Sequence, residues 1–118
     1  MTILVAIAGN SEGRAPLQAA ADEARTFDTG LVVINFGLEK LNKESLPTGI
    51  DLTLVERSAE EHEPADAVLT YVEEHPDVTR LVIGVRRRSP VGKAIFGSVS
   101  QQLLLDSPIP VLAVRTGD

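Results

Sequence analysis

Cysteine and tryptophan are both absent from this sequence, and only 3% of its residues are aromatic. Without cysteine there is no disulfide and no thiolate metal site. So few aromatic rings also argue against a platform on which nucleic-acid bases stack. Apolar runs are short, and none reaches the roughly 18 residues needed to span a bilayer. The opening "MTILVAIAGNSEG" has neither the basic start nor the longer apolar stretch of a signal peptide, so its apolar run reads as a strand. The expectation is a cytoplasmic chain with no membrane partner.

What is present is an acidic chain of ordinary globular composition. Apolar residues make up 43% of the 118 and charged residues 24%, which suits one domain over residues 1–118. The net charge of −6 argues against nucleic acid as the main partner, because neutralising phosphates needs a basic face. The charge is uneven, however. Residues 84–100 hold Arg86, Arg87, Arg88 and Lys93 with no acid, leaving 17 acidic residues against seven basic ones elsewhere. A cationic patch on an anionic body suits a small anion better than a long polyanion.

The chain alternates strand and helix signals. "TILVAIAG", "LVVINFG", "IDLTLVER", "RLVIG" and "PVLAVR" read as five strands. Between the first two, Leu17, Ala20, Ala21, Ala24 and Phe27 recur at helical spacing, with Asn10 or Ser11 to cap the start and Gly30 to end the helix. Ser58 and Glu61 have capping-box spacing ahead of Pro64, and Ala65, Val68, Leu69 and Val72 then form an apolar face. "GSVSQQLLLDS" is a last helix, while "LEKLNKESLPTG" is too short and broken for one. Alternation of this kind predicts an α/β fold: an open five-stranded parallel sheet with helices on both faces.

Ligands of such sheets sit beyond the carboxyl ends of the strands, where strand order reverses. That rule selects "AGNSE", "NFG" and "GVRRRSPVGKAIFGS". Gly84 is expected to end a strand where a side chain would obstruct a ligand. Gly97 opens a helix whose first amides, at Ser98, Val99 and Ser100, lack partners within the helix and attract phosphate. The hydroxyls of Ser98 and Ser100 and the nearby cations add to a cradle for phosphates. Equally, Gly-Ser at a helix start can be simple capping, and loop arginines can be merely solvated.

Gly84, the nine-residue spacer "RSPVGKAIF", and Gly97 with Ser98 resemble the G-2x-G-9x-G-[ST] signature of the universal stress protein family. "VSQQLL", "SPIPVLAVR" and the opening "ILVAIAGNSEGRAPLQAA" are similar to the same family, so the likeness covers nearly the whole chain, with a shortened middle region. The resemblance implies strand order 3-2-1-4-5 and a dimeric cytoplasmic regulator of stress survival that binds ATP or AMP, with or without Mg²⁺, and acts through a protein partner the sequence does not name. It places the nucleotide at Gly84, Gly97, Ser98, Val99 and Ser100, with Ala8, Gly9, Asn10 and Phe36 bordering the adenosine and Arg86 and Arg87 close by. Two positions depart from the pattern. Arg87 stands where the family has its second motif glycine, and Ala8 where it has an acidic residue. The guanidinium of Arg87 could block the phosphate or bind it bidentately. The alternative is therefore a dimeric interaction protein of the same fold that has lost nucleotide binding.

Enzymatic chemistry is not expected beyond slow ATP hydrolysis. No histidine stands near Ser11, Ser98 or Ser100 to activate a nucleophile. Glu12 is the only carboxylate near the cradle that could hold Mg²⁺. His62 and His75 sit in "AEEHEP" and "VEEHPD" and read as solvated helix ends rather than metal ligands. The fifth strand lies at one edge in the implied order, and its apolar residues Val111, Leu112, Ala113 and Val114 are expected to pair across a two-fold axis in a homodimer.

Overall fold

Long β-branched runs with no polar interruption form strands that are buried on both faces, and the central three strands do so here. In the computed structural model, which describes residues 1–9, 13–37, 39–56, 63–87, 94–95 and 97–116, these are β1 (Thr2–Ile7), β2 (Gly30–Asn35) and β4 (Val78–Arg87). β3 (Leu52–Glu56) and β6 (Val111–Thr116) flank them, and a two-residue β5 (Ala94–Ile95) lies between β4 and β6 in the chain. The helices are α1 (Arg14–Phe27), α2 (Pro64–Glu74) and α3 (Ser98–Asp106). Strands β3-β2-β1-β4-β6 are mutually parallel in that spatial order. The expected order 3-2-1-4-5 is thus found, the expected fifth strand being β6.

Two cores cover the sheet. Ile3, Val5, Ile7, Leu31, Val33 and Val82 face α1, which buries Leu17, Ala20, Ala21 and Ala24 against them. Leu4, Ala6, Val32, Ile34, Leu81 and Ile83 face α2 and α3, which contribute Ala65, Val68, Val72 and Leu103. No helix joins β2 to β3: residues 36–51 cross the α1 face with only the 3-10 turn Lys43–Ser45. This is the shortened middle region seen in the sequence.

Five expectations need correction. Gly84 does not end its strand but lies inside β4, because β6 keeps supplying ladder partners up to Arg86↔Thr116. β4 then turns back, pairing antiparallel at Arg86↔Ile95 and Arg87↔Ala94 where a loop was expected. Gly30 begins β2 instead of ending α1; the helix stops at Asp28, whose left-handed backbone (φ 54°, ψ 53°) lets Thr29 N–H reach the Ala24 carbonyl at 2.9 Å. Phe27, one residue earlier, is 51% exposed and outside the core its spacing suggested. His75 is half-buried at the end of α2, stacked 3.8 Å from Tyr71, and its Nδ1–H donates to the Tyr71 carbonyl at 2.8 Å, so solvation does not describe it. The capping pairs Asn10/Ser11 and Ser58/Glu61, with Glu12 and His62, lie outside the described residues; α1 and α2 start after Gly13 and Glu63 with no side-chain cap.

Because a side chain at positive φ is strained and glycine is not, Asp28→Gly is expected to stabilise the fold by about 0.5–1 kcal/mol in urea unfolding.

Candidate functional site

β1 feeds a connection toward β2 on one side of the sheet, while its other neighbour, β4, leads away toward β6. Between their carboxyl ends lies the point where strand order reverses. β1 and β4 pair up to Ala6↔Ile83, after which the edge of β4 at Gly84 and Val85 faces no β1 partner. β5 takes up the same edge at Arg86, because β6 occupies the opposite one. The gap so left opens into a cleft of about 210 Å³.

The cleft collects most of the expected residues. Ala8 and Phe36, from the ends of β1 and β2, line it together with Gly84 of β4, and Gly97, Ser98, Val99 and Ser100 bring in the start of α3. The first helical bond of α3 runs from Gln101 N–H to the Gly97 carbonyl at 2.9 Å, so the amides of Ser98, Val99 and Ser100 have no acceptor within the helix. Gly97 supplies no side-chain cap, and no acid occupies the first turn. The positive end of the helix dipole therefore enters the cleft without a counter-charge from its own first turn.

Gly97 itself is informative. Its backbone (φ −68°, ψ 163°) is open to any residue, and a Cβ there would meet nothing within 4 Å. Folding does not require a glycine at this position. Ser100 differs from expectation: its hydroxyl donates to the Gly84 carbonyl at 3.0 Å, which commits the proton to fixing α3 against β4. Ser98 is exposed at the helix start.

Other expected residues fall elsewhere. Gly9, with φ of 79°, is beside the cleft and lines a separate groove on the α1 side. The backbones of Arg86 and Arg87 lie in the β4–β5 pair, and their side chains, with Asn10, Arg88 and Lys93, fall outside the described part of the molecule. Val111, Leu112 and Val114 are half-buried and pack inward, whereas Ala113 is exposed on β6. Among the described residues, no group of three or more His, Asp or Glu could hold a metal ion, and no helix is long and apolar enough to cross a membrane.

Sequence reasoning missed the residue that holds this end of the sheet in shape. Asn35, the last residue of β2, is 1% exposed and uses its whole carboxamide. Oδ1 accepts from Gly9 N–H and Gly37 N–H, each at 3.0 Å; Nδ2 donates to the Glu39 carbonyl at 2.8 Å and to Glu56 Oε1 at 2.9 Å. Glu56 Oε2 in turn accepts from Leu41 N–H at 3.2 Å. Phe36 N–H donates to the Ile7 carbonyl at 2.9 Å, which fixes the Ala8–Phe36 wall. Gly37 sits so close that a Cβ would lie 2.8 Å from Gly9 N. A polar residue closing an apolar strand, two positions before a glycine, was the available signal. Pro16, buried at the cleft from α1, carried none.

The sequence model of the Universal stress protein family matches residues 37–115. The chain belongs to the universal stress protein family. A universal stress protein of Mycolicibacterium smegmatis is 34% identical, the match covering 96% of each chain. The solved structure of a universal stress protein from Archaeoglobus fulgidus aligns with a TM-score of 0.73 at 27% identity, over 97% of this chain and 98% of that one. A second, a universal stress protein from Archaeoglobus fulgidus in complex with dAMP, aligns at 0.68 and 21% identity over 97% of both chains, and has the same fold. Gly84 and Gly97 both line the cleft, and the backbone of Arg87 lies in the β4–β5 pair.

Removing the Asn35 carboxamide takes the acceptor from the buried Gly9 amide and the part-buried Gly37 amide and one of two donors from Glu56, so Asn35→Ala is expected to cost about 2–4 kcal/mol in chemical unfolding. Asn35→Asp keeps both acceptor contacts but sets a carboxylate against Glu56. Its loss is expected to be largest at neutral pH and to shrink on acidification, because the folded state then gains a shared proton that the unfolded chain binds less readily.

Proposed function

We propose that this chain is a regulatory nucleotide-binding protein that takes an adenine mononucleotide in the β1–β4 cleft, its phosphate on the amides of Ser98, Val99 and Ser100. One observation carries the reading: three uncapped helix amides open onto a space at Gly97 that folding leaves empty. The phosphate would fill that space and accept from the amides, with Ser98 Oγ as a further donor. Ala8 and Phe36 would border the nucleoside, together with Gly9 and Asn10. Arg86 and Arg87 would supply charge from the hairpin. The dAMP complex of the Archaeoglobus fulgidus protein supports an adenine nucleotide as ligand class. With no activated nucleophile in view, the role is binding rather than turnover, in a cytoplasmic stress response relayed to a protein partner.

A second reading is favoured by Ala8, which offers no carboxylate to the nucleoside, and by Ser100, whose proton is already committed. Under it, the fold serves only as a dimeric interaction module. Both readings place the homodimer at β6, whose outer edge has no strand beside it among the described residues.

Titration calorimetry with AMP, ATP and cyclic AMP, with and without Mg²⁺, separates the two. The nucleotide reading expects AMP to bind, and Gly97→Ala to weaken it by about tenfold or more, since a methyl would occupy the phosphate's space, while unfolding midpoints stay unchanged. Absence of heat and of any nucleotide in the protein as purified would leave the interaction module. For the dimer, light scattering is expected to report two chains per particle, and Ala113→Glu one; a dimer unaffected by that charge would remove β6 from the interface.

A further inference from the structure

With no helix between β2 and β3 among the described residues, the α1 face keeps a second recess, larger than the cleft. The steps β1→β2 and β2→β3 run in the same direction across the sheet, so right-handed crossovers bring both connections to the α1 face. A helix packed there would lie about 8–10 Å from α1. This chain has only the strap 36–51, which buries Leu41 and half-buries Leu46 and Ile50. Between strap and helix a groove of about 490 Å³ remains, against about 210 Å³ for the cleft. The Mycolicibacterium smegmatis relative aligns over 138 positions, more than this chain's 118 residues can fill, so it carries at least 20 that have no counterpart here.

We propose that the groove binds a small hydrophobic carboxylate, its acid group on Arg14 and its hydrocarbon body over Leu17, Leu41 and Ile7. All four side chains line the groove, and no acidic residue does so among the described residues. Arg14 and Arg25 lie on one stripe of α1, eleven residues and about 16 Å apart, at opposite ends of the groove. Their situations differ. Arg25 is held by Asp22 at 3.6 Å and by the Thr48 carbonyl at 3.1 Å, whereas Arg14 is exposed with neither an ion pair nor a hydrogen bond among the described residues. An exposed guanidinium with no partner among the described residues, beside the apolar side chains of Ile7, Leu17 and Leu41, fits a ligand that carries both characters. An inorganic anion would leave the apolar floor uncovered, and a hydrocarbon would leave Arg14 unanswered. The volume is within the roughly 300–1,000 Å³ of small-molecule sites.

The groove is distinct from the cleft. Gly9 and Gly13 line the groove while Ala8 lines the cleft, and Ile7 is the one residue common to both linings among the described residues, so the two lie on either side of the end of β1. The inference therefore stands whether or not a nucleotide binds.

Decanoate below its micelle concentration is the probe, read by displacement of anilinonaphthalene sulfonate fluorescence and by calorimetry. Decanoate is expected to bind the wild type, with decanol and acetate each at least about tenfold weaker, and Arg14→Gln weaker by about tenfold. Ser45→Trp, which fills the groove from the strap, is expected to abolish binding while circular dichroism and melting stay those of the wild type. Excess AMP is expected to leave decanoate binding in place. No binding to the wild type, equal affinity in Arg14→Gln, retention in a folded Ser45→Trp protein, or competition by AMP would each overturn the proposal.

Discussion

The carboxamide of Asn35 is the contact on which the working end of this molecule depends. Four hydrogen bonds converge on one buried side chain and draw together the turn after β1, the turn after β2 and the end of β3. The backbones at Gly9, Gly37 and Glu39 have left the sheet and would otherwise need water or a new partner for their polar groups, while Glu56 joins from β3 through its carboxylate. A buried amide with both oxygen lone pairs and both protons used is fixed in position as well as satisfied. Ala8 and Phe36 inherit that placement, and with them the wall of the cleft.

A division of labour follows from the sheet. Its interior, from Ile3 to Ile7 and Leu81 to Ile83, supplies the apolar burial that holds the domain together, at roughly 25 cal/mol per Å² removed from water. Chemistry is confined to the carboxyl ends, where the strands separate and backbone groups lose their ladder partners. On one side of the turn after β1, that loss presents the uncapped start of α3. On the other, the helix-free connection from β2 to β3 leaves Arg14 beside Ile7, Leu17 and Leu41 in the groove. Both features come from backbone or hydrocarbon left uncovered by the fold, rather than from a constellation of reactive side chains. Family membership fits that character.

Much of the architecture was legible because the strands are uninterrupted apolar runs and the helices carry clear 3.6-residue faces. Errors came where a neighbour in space overruled a local cue. Gly84 looked like a strand end, since glycine weakens strands, but the β6 ladder carries β4 past it. Phe27 continued the helical period one turn too far, because a left-handed Asp28 is not visible in a sequence that also offers Gly30. At the site, the glycines and the helix start could be read from spacing, which is a local property. The role of Asn35 could not, because its partners at positions 9, 37, 39 and 56 meet only once three turns have formed. The commitment of Ser100 to Gly84 likewise depends on how α3 docks.

The most direct test of the account is an amide-resolved nuclear magnetic resonance titration with AMP. If the start of α3 receives the phosphate, the amides of Ser98, Val99 and Ser100 shift downfield and saturate together with those of Ala8 and Phe36, while residues of α2 stay unmoved. Shifts scattered over the surface, or none at those three amides in saturating AMP, would contradict it.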